Sequence, residues 1–336
     1  IWYPKHLSLE QCSSEITARY KARLLQGDSL TDLTGGFGID CSFLATGFKS
    51  TTYVERQEEL CEIAAHNFPV LNLNHINIKN EDGVTYLQAM SPVDCLFLDP
   101  ARRNEHGGKT VAISDCEPNV AELEELLLQK ANRVMIKLSP MLDLSLALKE
   151  LKQTQEVHIL SVNNECKELL ILLGQTSPAE ISIHCVNLFT KGTQKEQHFV
   201  FTREQEQCSE CTYTDSLETY LYEPNASLLK AGAFRSIAAA YPVRKLHPNS
   251  HLYTSDTFIE NFPGRIFRIV NQCSFNKKEV KENLADLKKA NVTVRNFPAT
   301  VAELRKRIHL AEGGDTYLFA STLNNGQKVL IRCEKV

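Results

Sequence analysis

The sequence predicts an α/β protein, in which a helix and a mostly parallel sheet are followed by a smaller α+β domain. The 336 residues exceed the usual length of one domain, which is about 100–200 residues. In the first half of the chain, short apolar segments alternate with helical ones, as they do in βαβ units. Lys and Arg residues are concentrated in the C-terminal third, so the two parts of the chain also differ in composition.

The composition is that of an ordinary globular protein. Hydrophobic residues make up 43% of the chain and charged residues 23%, which excludes a disordered chain and a collagen-like repeat. No apolar run approaches the roughly 18–20 residues that a membrane-spanning helix needs. The first residues lack the basic and apolar segments of a secretory signal, so we expect a cytoplasmic protein that does not bind a membrane. The chain begins with Ile1 rather than Met, and the sequence does not predict whether residues precede it in the native protein.

The eleven cysteines predict a reduced protein without a metal site. Their number is odd, and most lie in apolar or helical segments, as reduced cysteines of cytoplasmic proteins do. Cys208 and Cys211 form a single CxxC pair, whereas a zinc ribbon needs a second pair at matching spacing. We therefore expect no bound metal.

The elements of the first part follow from residue patterns. A helix is predicted over residues 8–26, where Ile16, Tyr20 and Leu24 recur at four-residue spacing, and Gly27 ends it. The predicted strands are 29–33, 51–54, 76–78, 93–98, 134–138, 157–162 and 169–173. The predicted helices between them are 39–46, 57–67, 84–90 and 119–129. Too few residues separate the last two strands for a crossover helix, so the final strand should run antiparallel.

A polar stretch at residues 203–215 marks the predicted domain boundary, after a second hairpin at 181–201. The predicted domains are an N-terminal helical segment, 1–27, a first domain, 28–205, and a second domain, 215–336. Helices of the second domain are predicted at 226–240, 277–290 and 301–308, and its strands at 267–270, 292–295 and in a hairpin at 316–333. This mixture predicts an α+β domain.

Polar groups follow the first three predicted strands. The first strand runs into Asp32-Leu-Thr-Gly-Gly-Phe-Gly38, and glycines are needed where the backbone approaches a ligand closely or takes a positive φ. Glu55 ends the second strand, where a carboxylate can accept hydrogen bonds from both hydroxyls of a ribose. Asp82, after the third strand, can accept one from an adenine amino group. Dinucleotides and S-adenosylmethionine both bind at such turns, but the dinucleotide pattern GxGxxG lacks its third glycine here.

Together with the acid that ends the fourth strand, Asp99, these motifs resemble those of the class I S-adenosylmethionine-dependent methyltransferases over about residues 28–175. The whole chain is more similar still to the bacterial methyltransferases with a C-terminal THUMP-like domain. The segments that carry this likeness are LDPARR (98–103), KLSPMLD (137–143), VNNECKELL (162–170), YLYEPNASLLKAG (220–232), VRNFPATVAELRKR (294–307) and GGDTYLFASTL (313–323). The family implies a Rossmann-like methyltransferase domain, S-adenosylmethionine as the cofactor, and an appended domain related to RNA-binding THUMP domains.

The resemblance also implies a role for each strand end. Glu55 would hold the ribose, Asp82 the adenine amine, and Asp99 a hydrogen of the target group. The implied cofactor-binding residues are Asp32, Thr34, Gly35, Gly36, Gly38, Asp40, Glu55, Asp82 and Asp99. The implied catalytic residues are Asp99, Pro100 and Arg102.

Two positions depart from the family pattern. Thr34 stands where many methyltransferases have the first glycine of the turn. Many amino-methyltransferases continue Asp/Asn-Pro with a second proline and an aromatic residue that stacks on the target base, and here these are Ala101 and Arg102. Arg102 could stack on a base, bind a phosphate or pair with an acid of the first domain. The departure weakens the case for methylation of an exocyclic amine.

The charge distribution predicts a nucleic-acid partner. Residues 230–336 carry 18 Lys and Arg against 9 Asp and Glu, a net charge of +9, while the rest of the chain carries −13. A basic domain is the usual mark of a nucleic-acid partner. We expect Arg305, Lys306 and Arg307 to contact RNA. Other basic residues of this region are Arg244, Lys245, Arg265, Arg268 and Arg295.

The sequence therefore predicts a methyltransferase that modifies a base in RNA, either tRNA or rRNA, with S-adenosylmethionine as the methyl donor. One alternative is methylation of a protein or a small molecule, with the C-terminal domain acting in dimerisation. Another is a nucleic-acid-binding protein without catalytic activity. The sequence does not predict the oligomeric state.

Overall fold

The structure is a computed structural model that describes residues 1–4, 12–102, 112–176 and 178–336, with Arg102 described only in its backbone. The chain divides into two compact units, Ile1–Glu196 and Gln197–Val336. The predicted role of the Arg102 side chain, and the first residues of the helix predicted at 8–26, lie outside the described residues. All eleven cysteines are free. Within the described ranges, no helix is both long enough and apolar enough to cross a membrane.

The first unit alternates strands and helices. Its helices are α1 (Glu15–Ala22), α2 (Ile39–Leu44), α3 (Glu58–Val70), α4 (Gly83–Ala89), α5 (Val120–Lys130) and α6 (Leu144–Glu150). Its strands are β1 (Ser29–Asp32), β2 (Ser50–Glu55), β3 (Ile76–Asn80), β4 (Val93–Leu98), β5 (Ala101–Arg102), β6 (Cys116–Glu117), β7 (Ala131–Leu138), β8 (Thr154–Val162), β9 (Glu165–Gly174) and β10 (Ser182–Leu188). Strand β11 (Glu196–Phe201) begins at the boundary between the units.

Two helices of the first unit differ from the sequence-based expectation. Helix α1 begins at Glu15 and ends at Ala22, so it is shorter at both ends than the predicted helix. Helix α6 is not predicted, because its seven residues are too few for a clear period. It is stabilised at its start by Asp143, whose carboxylate accepts a hydrogen bond from Leu146 N at 2.9 Å.

The spatial order of the strands in the first unit is β10-β8-β9-β7-β4-β1-β2-β3. Strands β1, β2, β3, β4 and β7 pair in parallel. Strand β9 is antiparallel to both of its neighbours, β7 and β8, which confirms the predicted Rossmann-like sheet with its antiparallel strand. Strand β10 then pairs in parallel with β8, an extension that the sequence analysis does not predict.

The parallel pairing decides where the functional side chains meet. Because the carboxyl ends of parallel strands share one edge of a sheet, the residues that end β1, β2 and β4 lie together. Helices α1 and α2 cover one face of the sheet through an apolar cluster that includes Tyr20, Leu44, Phe97, Met135 and Leu172. Helix α1 is therefore packed against the sheet rather than standing apart from it.

The second unit is a mixed α+β structure, as predicted. Its helices are α7 (Arg203–Cys208), α8 (Ala226–Ala231), α9 (Ser236–Ala240), α10 (Lys277–Leu284) and α11 (Val301–Ile308). Its strands after β11 are β12 (Tyr220–Pro224), β13 (Arg244–Lys245), β14 (Tyr253–Ser255), β15 (Gly264–Ser274), β16 (Asn291–Val294), β17 (Thr316–Thr322) and β18 (Lys328–Lys335). They form a sheet in the order β13-β14-β12-β15-β18-β17-β16.

Local signals explain two features of this unit. The helix predicted at 226–240 is divided into α8 and α9, because Gly232 has a φ of +78° and ends α8. Helices α10 and α11 pack on the sheet through one apolar cluster that includes Leu284 and Leu304. Their opposite faces carry Lys and Arg residues and are open to solvent.

The interior position of β9 predicts a loss of stability when its core side chains are truncated. Leu172 is fully buried. We expect Leu172→Ala to lower the free energy of unfolding by about 2–5 kcal/mol, because it removes buried apolar contacts and leaves a cavity. Urea unfolding can be followed by the fluorescence of Trp2, the single tryptophan, which stacks on His66 in the same unit.

Val70→Ala is the matched control, because Val70 ends α3 with 55% of its surface exposed. It should change the free energy of unfolding by no more than about 0.5 kcal/mol. Equal losses in the two variants would contradict the interior placement of β9.

Candidate functional site

A cavity of about 1360 Å³ opens at the carboxyl edge of the sheet in the first unit. Every residue that the sequence analysis assigned to the cofactor lines it, and so does Pro100. These lining residues are Asp32, Thr34, Gly35, Gly36, Gly38, Asp40, Glu55, Asp82, Asp99 and Pro100. The structure therefore brings together, at one site, residues that follow four different strands.

The turn after β1 is held in place by side chains around it. Gly36 and Gly38 have φ values of +54° and +82°, which side chains rarely adopt. Gly36 N donates to Glu55 Oε2 at 2.8 Å. A Cβ atom on Gly35 would lie 2.2 Å from the ring of Tyr53, so this position has no room for a side chain. The turn thus needs its glycines for both conformation and space.

Thr34, which departs from the family pattern, has a structural role of its own. Its backbone N–H donates to Asp32 Oδ1 at 3.0 Å. Its hydroxyl oxygen accepts from the backbone N–H of Asp99 at 2.6 Å. A glycine could not make the second contact. Thr34 therefore ties the turn after β1 to the end of β4.

Two carboxylates present acceptor oxygens to the cavity. Glu55 Oε1 accepts from Gln57 N at 2.9 Å, but each carboxylate oxygen has two lone pairs, so Glu55 keeps acceptor capacity. Asp82 Oδ1 caps α4 by accepting from Val84 N and Thr85 N, both at 3.0 Å. Its Oδ2 has no partner among the residues that the structure describes. These acceptors and the open turn fit a ligand with vicinal hydroxyls and an amino group.

Five charged side chains at one side of the cavity contact one another, and we call them the charged network: Lys21, Asp40, Asp99, Lys137 and Glu168. All of them except the buried Lys21 line the cavity. Lys137 Nζ lies 2.6 Å from Asp99 Oδ2 and 3.0 Å from Asp40 Oδ2. Lys21 Nζ lies 3.0 Å from Asp40 Oδ1 and 2.6 Å from Glu168 Oε2. Each ammonium group is thus shared between two carboxylates.

A serine completes the charged network. Ser13 Oγ lies 2.8 Å from Lys21 Nζ and 3.1 Å from Lys137 Nζ, so it accepts from both lysines. It is also 2.8 Å from Asp40 Oδ2, to which its hydroxyl donates. Lys21 is fully buried, and a buried ammonium is tolerated only when its hydrogen-bonding capacity is satisfied. Ser13 and the carboxylates meet that requirement.

The charged network shifts the pKa values of its members. Burial alone would lower the pKa of Lys137, but the carboxylates of Asp99 and Asp40 outweigh burial and raise it, so Lys137 is an ammonium at neutral pH. Burial raises the pKa of Asp99, and Lys137 opposes this. Asp99 still has 39% of its side-chain surface accessible. It is therefore the member of the network that a bound molecule can reach.

The sequence analysis found only part of this network. It assigned Asp40 and Asp99 to the cofactor, and Asp99 to catalysis as well. Lys137 and Glu168 lie in two of the segments that carry the family likeness, 137–143 and 162–170, but neither they nor Lys21 were given a role. A lysine near the end of an apolar strand, as Lys137 is, was an available signal. The sequence contains no comparable signal for Lys21, because a lysine in a short helix usually faces solvent.

A separate polar cluster lies on β8 and β10. Ligand atoms of Glu156, His158 and His184 lie within 4.8 Å of one another, close enough for one metal ion. However, the rings of His158 and His184 are stacked at 4.3 Å with an angle of 16°, so their nitrogens do not converge. Tyr20 hydrogen-bonds His158 at 2.8 Å, and Arg133 pairs with Glu156 at 3.0 Å. Hydrogen bonding within the protein accounts for this cluster.

The three residues predicted to contact RNA lie on α11 in the second unit. Arg305 pairs with Glu312 at 3.2 Å and has 20% of its side chain exposed. Arg307 is exposed and lies over the ring of Phe275, 5.5 Å from its centre. Lys306 is exposed and has no ion pair within the described chain. Of the three, Lys306 and Arg307 are available to a partner.

Other arginines of the basic region are paired within the second unit. Arg295 lies 3.0 Å from the buried carboxylate of Glu223, and Arg265 pairs with the same group. Arg268 pairs with Glu334 at 2.8 Å. Arg244 pairs with Glu218. These four arginines are therefore largely neutralised by their neighbours.

Five exposed basic residues lie on α10 and α11, which pack against each other. We call this the α10–α11 surface. The basic residues of this surface are exposed, and none of them makes an ion pair with another described residue. They are Lys277, Lys278, Lys281, Lys306 and Arg307. The sequence analysis did not single out the three lysines of α10, because charged residues on an amphipathic helix usually form an ordinary solvated face.

Comparisons with known proteins support two similarities. A ferredoxin-like domain model matches residues 220–263 and a THUMP domain-like model matches residues 264–335. The crystal structure of a candidate methyltransferase from Porphyromonas gingivalis W83 is 37% identical, with a TM-score of 0.89, and the match covers 98% of this chain and 82% of that one. The sequence analysis did not separate the ferredoxin-like part from the THUMP-like part. No curated protein sequence matches the chain.

More distant structures match only weakly. A candidate methyltransferase from Streptococcus mutans, solved with SAH, is 13% identical with a TM-score of 0.34, over 48% of this chain and 96% of that one. A candidate class I S-adenosylmethionine-dependent methyltransferase from Listeria monocytogenes is 11% identical with a TM-score of 0.41, over 56% of this chain and 69% of that one. Scores this low do not bear on function.

The buried position of Asp32 predicts a pH dependence of stability. Burial raises the pKa of this carboxyl group from 3.8 to about 8, although Thr34 N opposes the shift. Between these values the folded chain holds a proton that the unfolded chain has released, so the free energy of unfolding falls as the pH rises. The slope for one such group is at most about 1.4 kcal/mol per pH unit.

We expect Asp32→Asn to flatten this dependence, because the amide keeps an oxygen for Thr34 N but does not ionise. The free energy of unfolding is measured by denaturation at about pH 5 and about pH 8. At the higher pH, Asp32→Asn should be more stable relative to wild type than it is at the lower pH. Asp28→Asn, at an exposed position, should follow the wild-type profile. A gain for Asp32→Asn that is equal at both pH values would show that Asp32 is ionised throughout.

Proposed function

Because this chain belongs to the family of bacterial class I S-adenosylmethionine-dependent methyltransferases that carry a C-terminal THUMP-like domain, we propose that it binds S-adenosylmethionine in the cavity of the first unit and methylates RNA. The observation that carries the proposal is the convergence of all the predicted cofactor residues on one cavity. Ligand pockets commonly measure about 300–1,000 Å³, so a cavity of about 1360 Å³ has room for a cofactor and part of an acceptor.

The chain's own residues would divide the cofactor between them. Glu55 accepts hydrogen bonds from the ribose hydroxyls, and Asp82 Oδ2 accepts one from the adenine amine. Gly36 and Gly38 keep the turn open beside the methionine part. When bound, S-adenosylmethionine supplies a methyl group on a positively charged sulfur. Asp99 would receive the acceptor group, and holding both reactants in one cavity would lower the entropic cost of bringing them together.

RNA is supported as the acceptor by the second unit. Its residues 264–335 match the THUMP domain-like model, and the α10–α11 surface offers unpaired positive charge to a phosphate backbone. That the acceptor is a base of tRNA or rRNA stays a prediction from the sequence. A methyltransferase for a protein or a small molecule would not need the α10–α11 surface. A binding protein without activity would not need an accessible acid at Asp99.

The assignment of Glu55 to the ribose predicts the effect of removing it. Calorimetry should detect binding of S-adenosylmethionine and its demethylated product, and no binding of NAD. We expect Glu55→Ala to weaken the complex by about 1–3 kcal/mol, because the ribose hydroxyls lose their partner. Glu58→Ala, at an exposed position in the first turn of α3, should leave the affinity unchanged.

Glu55→Ala also frees Gly36 N, so thermal unfolding should be measured on the same sample. Asp82→Asn, which keeps an oxygen for capping α4, is a second test and should weaken binding without loss of structure. Tight binding of NAD with no binding of S-adenosylmethionine would overturn the cofactor proposal.

The α10–α11 surface predicts salt-dependent RNA binding. Each phosphate contact should contribute about −0.7 to the slope of log affinity against log salt for a single strand. Charge reversal at Lys277, Lys278 and Lys306 should flatten that slope and weaken binding to all sequences alike. Filter binding of a single-stranded RNA at two salt concentrations measures this.

Arg268→Glu is the control, because Arg268 is exposed in the same unit but is already paired with Glu334. It should change the salt slope less than Lys306→Glu does. Affinity for S-adenosylmethionine should stay unchanged in all of these variants. If wild-type protein shows no RNA binding at low salt, RNA is not the acceptor.

A further inference from the structure

The pairing of Asp99 within the charged network bears on which atom of the RNA receives the methyl group. Lys137 occupies Asp99 Oδ2 at 2.6 Å. Asp99 Oδ1 has no partner in the part of the chain that the structure describes, and the side chain is accessible from the cavity. An acceptor group at this site would therefore meet a carboxylate whose other oxygen is held by an ammonium group.

This arrangement is poorly suited to an exocyclic amine. Such an amine attacks as a neutral group, and its nitrogen gains positive charge as the new bond forms. An ammonium group held close to that nitrogen would oppose the charge. The pattern of the amino-methyltransferases also places an aromatic ring two residues after Pro100, and this chain has Arg102 there instead. Both features disfavour a base amine as the acceptor.

The same arrangement suits a hydroxyl group. A hydroxyl must lose its proton as the carbon–oxygen bond forms, and negative charge develops on its oxygen. A carboxylate can take the proton, and a nearby ammonium stabilises the negative charge. In an internal RNA nucleotide the hydroxyl available is the ribose 2′-hydroxyl. We infer that this enzyme methylates a ribose 2′-hydroxyl of RNA, with Asp99 as the proton acceptor and Lys137 as its positioning residue, an inference that rests on the proposed function.

The step balances without any further reactant. The hydroxyl oxygen forms a bond to the methyl carbon as the carbon–sulfur bond breaks, and the electron pair of that bond stays on sulfur. The hydroxyl proton passes to Asp99 Oδ1. Asp99 is then neutral beside the Lys137 ammonium, and it releases the proton to water after the product leaves. The products are a methyl ether, a thioether and one proton.

The rest of the charged network keeps Lys137 in place. Lys137 donates to Asp40 Oδ2 at 3.0 Å and to Ser13 Oγ at 3.1 Å. Asp40 is itself held by Lys21, which is fully buried and does not line the cavity. Lys21 is therefore a positioning residue as well, since it acts on Asp99 only through other side chains.

The position of the methyl group tests the inference directly. The full chain is incubated with S-adenosylmethionine carrying a labelled methyl group and with total RNA from cells that lack the gene. The RNA is digested to nucleosides, and mass spectrometry locates the label. We expect the label on ribose. Label on a base would overturn the inference and leave the proposed function standing. If the RNA carries no label although calorimetry shows cofactor binding, the proposed function fails instead.

Asp99→Asn separates a proton acceptor from a hydrogen-bond acceptor. An amide can still accept a hydrogen bond from an amine, so it would support amine methylation, but it cannot take a proton from a hydroxyl. We expect turnover to fall by about 10²-fold or more, while the calorimetric affinity for S-adenosylmethionine stays within about 2-fold. Asp28→Asn, at an exposed position, should keep full turnover. Retained turnover in Asp99→Asn would overturn the inference.

Lys137→Met tests the positioning role through a pH profile. Because Lys137 lowers the pKa of Asp99, its removal should move the rise of turnover with pH to a higher pH. Lys49→Met loses a 2.9 Å ion pair with Asp28 at an exposed position outside the cavity, and it should leave the profile unchanged. An unchanged profile in a folded Lys137→Met protein would contradict the positioning role. If Lys137→Met does not fold, the labelled RNA and Asp99→Asn still decide the inference.

Discussion

Two lysine ammonium groups in the interior of the first unit need partners, and the arrangement of that unit depends on supplying them. Lys21 is fully buried, and removing an ammonium from water costs several kcal/mol unless carboxylates compensate. Its two carboxylates come from α2 and from β9. Helix α1 can therefore sit on the sheet only when both of those elements are in place.

The antiparallel β9 brings Glu168 next to β7, the strand that carries Lys137. The charged network thus connects the cavity to elements distant in sequence.

The sequence predicts those parts of the site that depend on local pattern. Strand ends can be found from the length of apolar segments, and parallel strands share an edge, so Asp32, Glu55 and Asp99 could be placed together before the structure was known. The contact between Lys21 and Glu168 could not be predicted in this way, because it depends on how α1 packs and on where β9 enters the sheet. The packing of α1 and the position of β9 are not determined by neighbouring residues in the chain. Long-range packing is what the sequence pattern leaves out.

The second unit shows the same limit for charge. A net charge of +9 over residues 230–336 is a property of the sequence, but it does not say which charges remain available. The buried Glu223 forms ion pairs with two arginines. Arg244 and Arg268 form ion pairs with other carboxylates. The residues that stay exposed and make no ion pair in the described part of the chain include the three lysines of α10, where the sequence shows only an ordinary polar helix face. The net charge of the sequence predicts a nucleic-acid partner. The ion pairs in the structure show which basic residues are left free to contact it.

Two neighbouring side chains hold Asp99 in place. Thr34 replaces a glycine and accepts from the backbone N–H of Asp99, while Lys137 holds one oxygen of its side chain. The residue is thus fixed at its backbone and at its carboxylate, so little reorganisation is needed when a charge develops beside it. Arg102 stands where many amino-methyltransferases have the aromatic ring that stacks on a flat base. A carboxylate that is held by a cation, without the aromatic ring of that pattern, favours an acceptor recognised through its proton over one recognised through its ring.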